Sequence, residues 1–140
     1  MIHEITVEGL AQLTNPVFID VRSESEFAEA TIPGASNIPI FTDIERAEIG
    51  TVYKHVSPLA AKDLGLCLAS PKLPSMVKRC RELAETGQLV FFCWRGGMRS
   101  KAVALIMDLM GVKTHRLIGG YKAYRRSIVQ FWEQTPFPYE

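Results

Sequence analysis

Apolar residues occur in this chain as short unbroken runs set between longer stretches of helical spacing. Val17-Phe18-Ile19-Asp20-Val21, directly behind Asn15-Pro16, reads as a buried strand, and so does Leu89-Val90-Phe91-Phe92. Residues 112–118 predict a further short strand, which Gly119-Gly120 turns into a last helix over 121–132. Between the strands the helical signals are local. Ser23 with Glu26, and Thr42 with Glu45, have capping-box spacing, so helices start there, the second ending at Gly50. Ile32-Pro33-Gly34-Ala35 breaks the first. Ser57-Pro58 and Ser70-Pro71 each set a cap residue before a first-turn proline. Met76, Val77, Cys80, Leu83 and Ala84 then share one face of a helix that closes at Gly87. Residues 102–110 are apolar on most faces and stop at Gly111, the mark of a largely buried helix.

Strands that are apolar throughout and alternate with helices argue for an α/β fold, a mainly parallel central sheet flanked by helices on both faces. The 140 residues suffice for one such domain, placed at 1–135, with 136–140 a loose tail behind Pro136. A net charge of +1 gives no global pull toward nucleic acid or membrane. No run approaches the ~18 apolar residues a membrane helix needs, and Met1-Ile2-His3-Glu4 lacks the opening of a signal peptide. Cys67, Cys80 and Cys93 have neither CxxC spacing nor a His-rich neighbourhood, so no metal site and no disulfide framework is expected. Reduced thiols point to the cytoplasm.

Cys93-Trp94-Arg95-Gly96-Gly97-Met98-Arg99-Ser100 follows an apolar strand and precedes a buried helix. In parallel sheets, sites form beyond the carboxyl ends of strands. Gly96 and Gly97 allow backbone conformations closed to other residues, so the loop can curl around one point. Such a loop at a helix start aims several N–H groups inward and adds the positive end of the helix dipole. Arg95, Arg99 and Lys101 add charge, and these surroundings favour the Cys93 thiolate, the nucleophilic form. The same amides can hold an incoming oxyanion. Cys93 is the candidate catalytic residue, and residues 94–100 are its anion-binding loop.

Three blocks carry a resemblance. Phe18-Ile19-Asp20-Val21-Arg22, Glu26-Phe27 and Ile32-Pro33-Gly34-Ala35 with Asn37-Ile38-Pro39 resemble the opening of rhodanese domains. The Cys93 loop resembles their active-site loop, and Leu117-Ile118-Gly119-Gly120-Tyr121 their late strand-to-helix turn. Residues 45–54, Cys93-x-Arg95-Gly96-Gly97-x-Arg99-Ser100 and residues 119–125 are similar to the N-terminal rhodanese domain of the tRNA 2-selenouridine synthase family.

This resemblance implies a rhodanese-like fold and a transferase that carries sulfur or selenium on Cys93, converting wobble 2-thiouridine of tRNA to 2-selenouridine. It implies no cofactor: selenophosphate, or a persulfide or thiosulfate donor, is the substrate. The partners it implies are a P-loop domain or protein that completes the enzyme, a selenium or sulfur donor protein, and tRNA through that complex. Full-length members continue into a P-loop domain, and GxxxxGK[ST] is absent here. The chain therefore reads as an excised domain or as half of a split enzyme.

Other readings of the loop stand beside this one. Cys93 to Arg99 spans seven residues, one more than in ordinary thiosulfate sulfurtransferases, and matches the C-x5-R loops of cysteine phosphatases and arsenate reductases. Phe92 stands where many of those phosphatases carry His, and no Asp follows in the loop to act as the acid. A plain thiosulfate sulfurtransferase and a docking module are further alternatives.

The remaining candidates have ordinary structural readings. Asp20 and Arg22 support the site by tying loops at the top of the sheet. Glu26 is expected as a solvated charge, Phe27 as a core anchor, and Cys67 and Cys80 as packing residues. Trp94 either stacks on a base or shields the loop. Lys122, Arg125 and Arg126, with Arg116 nearby, form either a basic patch or a solvated helix face. Tyr53-Lys54-His55 faces the loop or the missing domain.

Overall fold

The computed structural model describes residues 2–134, so the tail expected at 136–140 lies outside the described residues. In chain order the elements are β1 His3–Ile5, β2 Pro16–Asp20, α1 Glu24–Glu29, β3 Ser36–Asn37, α2 Asp43–His55, α3 Pro58–Ala69, α4 Leu73–Ala84, β4 Gln88–Phe92, α5 Met98–Leu109, β5 His115–Leu117 and α6 Gly120–Gln134. Short 3-10 turns at Glu8–Gln12 and Ser70–Lys72 complete the set. The five strands form one sheet in the order β1-β5-β4-β2-β3, every pair parallel. Among the described residues no helix is long and apolar enough to cross a membrane.

The unbroken apolar run of β4 follows from its place near the middle of that sheet. Side chains alternate between faces along a strand. Leu89 and Phe91 enter one core with Ile19, Cys80, Val103 and Met107, while Val90 and Phe92 enter another with Ile32 and Leu117. A strand buried on both sides has no position left for a polar residue. Phe91 and Phe92 are both fully buried, which anchors the end of β4 in both cores, and Cys93 follows directly.

The structure corrects several expected boundaries. Gly50 does not end its helix: α2 runs on to His55, and the chain turns at Val56 before Ser57 caps α3. A helical glycine costs about 1 kcal/mol against alanine, which packing on a neighbour can offset. Here α2 lies along α3, with Gly65 of α3 against Phe41 and Ile49. Gly111 does end α5, because it takes φ +80°. Ser70 closes α3 with a hydroxyl bond to the Leu66 carbonyl rather than capping α4, whose first turn holds Pro74 instead. The last strand shrinks to His115–Leu117, and α5 starts four residues early, at Met98. That early start puts Arg99 and Lys101 in the first helical turn beside Cys93. β1 and β3 have no counterpart among the expected strands. At three and two residues they are too short to show a period.

Candidate active site

Cys93 follows β4 and is 3% exposed. Its Sγ lies 3.3 Å from the hydroxyl of fully buried Ser100, seven residues on in the first turn of α5. The Arg116 Nε–H donates to that same hydroxyl at 3.3 Å. A thiol at Cys93 donates to Ser100 in this geometry. A thiolate can instead accept the Ser100 proton, with Arg116 polarising the oxygen between them.

The loop is curled by bonds to its carbonyls. The Tyr121 N–H donates to the Cys93 carbonyl at 2.8 Å and the Lys122 N–H to the Trp94 carbonyl at 2.9 Å. Arg116 Nη2 donates to the Gly96 carbonyl and, at 3.4 Å, to that of Gly97. In a trans peptide the next N–H points opposite to its carbonyl. Pulling these four carbonyls into the body of the protein therefore turns the amides of Trp94, Arg95, Gly97 and Met98 the other way. The amides of residues 94–100 donate to no backbone carbonyl among the described residues. The first-turn amides of α5 are free by helix geometry, and they carry the dipole's positive end.

Gly96 and Gly120 make this curl possible. Gly96 takes φ +69°, and a Cβ there would sit 2.8 Å from the Gly119 nitrogen. Gly120 takes φ +59°, and its Cβ would sit 2.3 Å from the Cys93 carbonyl oxygen and 2.6 Å from the Gly96 nitrogen. Backbone packs on backbone. Gly97 departs from the expectation: its φ is −88°, and a Cβ there would meet open space.

Arg99 is held to the side. Its Nη1 donates to Glu26 Oε1 at 2.7 Å and its Nη2 to Oε2 at 3.4 Å, with both side chains under one-fifth exposed. Glu26 is thus no solvated charge. It also accepts from the Ser23 amide and hydroxyl at the start of α1, and Arg46 Nε of α2 lies 3.6 Å away. Burial pushes the Glu26 carboxyl up, but the bonds and charge of Arg99 and the bonds of Ser23 outweigh it and hold the group below its ordinary value.

Asp20 and Arg22 form a buried pair of the tying kind. Arg22 Nε donates to Asp20 Oδ1 at 3.0 Å and Nη2 to Oδ2 at 2.8 Å, while Nη2 also reaches the Ala30 carbonyl. Thr31 donates to the same carboxylate. The Arg22 guanidinium lies 4.8 Å above the Tyr121 ring, and Trp94, half-buried, sits 6.0 Å from that ring. The pair therefore braces α6 and the loop at once.

Arg116 lies at the candidate site, not where the sequence placed it. It belongs to no helix-face patch: it lies under the loop, 13% exposed, with Nη1 donating to both oxygens of Glu4. Its one signal was a charge between the buried positions His115 and Leu117 of a strand. Arg95, Arg125 and Arg126 are exposed, as are Met98 and His55. Phe27 is only half-buried. Cys67 is exposed rather than packed, because its helix α3 turns that face outward. Cys80 is fully buried, and burial, against a smaller opposing effect of Arg79, pushes its thiol up to about 11.

The sequence profile described as "Rhodanese-like domain" matches residues 6–127. The chain belongs to the rhodanese-like domain family. A relative named tRNA 2-selenouridine synthase, from Bdellovibrio bacteriovorus, is 38% identical over 134 residues, which cover 91% of this chain and 34% of the relative. One of the same name from Hahella chejuensis is 38% identical over 123 residues, covering 86% and 32%. The rhodanese-like domain described here thus spans about a third of the length of these relatives. Among solved structures, the N-terminal domain of a candidate ATP/GTP binding protein from Clostridium difficile 630 aligns at TM-score 0.85 and 37% identity, over 89% of this chain and 98% of that one. A rhodanese-related protein from Thermoplasma volcanium shares the fold, at TM-score 0.55 and 16% identity over 89% and 92%. The parallel sheet flanked by helices is accordingly the rhodanese-like fold, a sulfurtransferase-type domain.

Proposed function

We propose that this rhodanese-like domain carries a sulfur or selenium atom on Cys93. In the step envisaged, the Cys93 thiolate attacks the outer chalcogen of an anionic donor. A Cys93 S–S or S–Se bond forms as the donor's bond to that atom breaks, and the donor's remainder leaves with the electron pair. With thiosulfate or selenosulfate the leaving group is sulfite; with a persulfide or selenopersulfide it is a thiolate. No outside oxidant is needed. The terminal atom of the adduct is anionic, and the amides of Trp94, Arg95, Gly97 and Met98 are placed to receive it. Transfer to a nucleophilic acceptor breaks the bond at Cys93 and returns the electron pair to its sulfur.

The single observation that supports this reading is the set of four loop carbonyls drawn back by Tyr121, Lys122 and Arg116 beside a buried thiol. The names of the relatives support the finer reading, that the acceptor is a uridine of tRNA, and the two-thirds of their length outside the matched part supports a further domain or partner that completes the reaction, for which the sequence resemblance implies a P-loop protein and a donor protein. Cys67, Cys80 and Cys93 are all unpaired, which fits a reducing compartment, the cytoplasm.

Intact-mass spectrometry after incubation with thiosulfate, and separately with selenosulfate, tests the proposal. One added chalcogen is expected on the wild type and none on Cys93→Ser. Equal uptake by both would overturn it. A parallel assay with an aryl phosphate separates the cysteine-phosphatase reading, which requires turnover of that ester.

A further inference from the structure

Arg116 of β5 carries five N–H donors, and each of the five has an acceptor. Nε donates to the Ser100 hydroxyl at 3.3 Å, and Nη2 to the carbonyls of Gly96 and Gly97. The donors of Nη1 go to the two oxygens of Glu4, each at 2.8 Å. One side of the guanidinium thus serves the Cys93 loop and the start of α5, and the other is anchored on the edge strand β1.

The backbone puts Glu4 there. β1 and β5 pair in parallel with Glu4 opposite Arg116, so both side chains leave the same face of the sheet. Backbone bonds fix the register on either side of the pair: the His3 amide donates to the Thr114 carbonyl at 3.2 Å, and the Ile118 amide to the Ile5 carbonyl at 2.8 Å. A slip of one residue would turn Glu4 to the other face. Arg116 is 13% exposed and pairs with no other carboxylate among the described residues. A guanidinium at that depth without a counter-charge carries a desolvation cost, which it relieves by turning toward water. It would then release Ser100 and both loop carbonyls together. Arg99 takes no part in this chain of contacts, being held on Glu26, and Arg95 is exposed.

We propose that Glu4 is a positioning residue for the chemistry at Cys93, holding Arg116 so that Ser100 faces the sulfur and the loop amides face the incoming anion. The proposal rests on the transfer reading above. The sign of the effect separates position from bulk charge. Deleting a nearby negative charge by itself favours a thiolate. Losing the anchor of Arg116 does the opposite, because the hydroxyl that donates to the sulfur and the cation behind it move away. Glu4 is 47% exposed, so Glu4→Gln leaves the core untouched. Glu8, exposed in the same open cleft as Glu4, offers the matching charge change away from Arg116.

Alkylation of Cys93 by iodoacetamide across a range of pH, followed on the Cys93 peptide by mass, tests it, with thiosulfate loading measured on the same preparations. Glu4→Gln is expected to move the alkylation midpoint up by about half a unit or more and to slow loading about threefold or more. Glu8→Gln is expected to match the wild type in both. In an Arg116→Gln background, Glu4→Gln should change neither, since the residue it acts through is gone. A midpoint that stays or moves down in Glu4→Gln, an equal shift in Glu8→Gln, or a shift of full size in the Arg116→Gln background would each overturn the proposal. Alkylation does not depend on loading, which keeps the two readings apart. A wild-type Cys93 that takes up no sulfur, with the Glu4→Gln shift intact, sinks the transfer reading alone. A loaded Cys93 with an unmoved midpoint sinks the positioning role alone.

Discussion

Glu26 of α1 grips Arg99 of α5 through two hydrogen bonds, of 2.7 and 3.4 Å, across 73 residues of sequence. The same carboxylate closes the N-terminus of its own helix through Ser23. One side chain thus fixes both a helix start and the direction of the loop's arginine. With the guanidinium parked on Glu26, the proposed anion at Cys93 would meet the loop amides before Arg99.

Glu26→Gln keeps the shape and removes the charge. Losing charge-assisted bonds to a partly buried arginine is expected to cost about 1–3 kcal/mol by urea denaturation at pH 7. The carboxyl is held below its ordinary 4.5 in the folded state. Its contribution is therefore complete above that value and is lost as pH falls through the folded one. The gap between variant and wild type should close in acid. A gap that stays constant as the pH is lowered to the acid limit of the folded state would show that the charge is irrelevant.

Gly120→Ala and Gly97→Ala differ only in place. The first drives a Cβ into the Cys93 carbonyl from a positive φ, so a loss of about 1–3 kcal/mol and a displaced loop are expected. The second enters open space and keeps its amide, so stability should change by no more than about 0.5 kcal/mol. Thermal melts of both variants, with Cys93 loading measured alongside, check the contrast.

Arg116→Leu removes the donor shared by Ser100 and the Gly96 and Gly97 carbonyls. The Gly96–Gly97 and Gly97–Met98 peptides then lose the donor that keeps their amides turned outward, while Tyr121 and Lys122 still hold the carbonyls of Cys93 and Trp94. Loading of Cys93 by thiosulfate is expected to slow about tenfold or more, on the scale of losing an oxyanion donor. Arg116→Lys restores charge without the fork and should recover only part of the rate.

His115 is buried beside the Leu89 carbonyl, and burial, with His3 and Lys113 assisting against that hydrogen bond, holds its imidazole below the ordinary 6.5. A depressed histidine contributes stability that is present above the unfolded value and lost as pH falls toward the folded one. Melting temperatures should decline below pH about 6.5. His115→Gln, by removing the titrating group, should flatten that part of the profile.

How much of this was legible in the sequence depended on whether the parts were neighbours along the chain. The β4 strand, Cys93, the glycines and the start of α5 are contiguous. The apolar run, the nucleophile and the turn residues could therefore be read together. Glu26, Arg116 and Gly119-Gly120 reach the loop only through folding, from 73, 20 and 23 residues away in the pairings described. Nothing local marks such contacts. Glu26 read as a solvated charge because helix starts usually carry one, and Arg116 was grouped with Lys122, Arg125 and Arg126 because they are its neighbours along the chain. Gly50 and Gly111 show the same limit: one residue type continues a helix where α3 packs alongside and ends one where φ turns positive.

The central claim is that the anionic end of a Cys93 adduct rests on amides whose carbonyls are held back. A crystal structure of the protein loaded with thiosulfate measures this directly. The expected density is one extra atom on Cys93 Sγ, within hydrogen-bond reach of the Gly97 and Met98 amides, with Arg116 still on the Gly96 carbonyl. An adduct on exposed Cys67 instead, or one on Cys93 that points away from those amides, would contradict the claim.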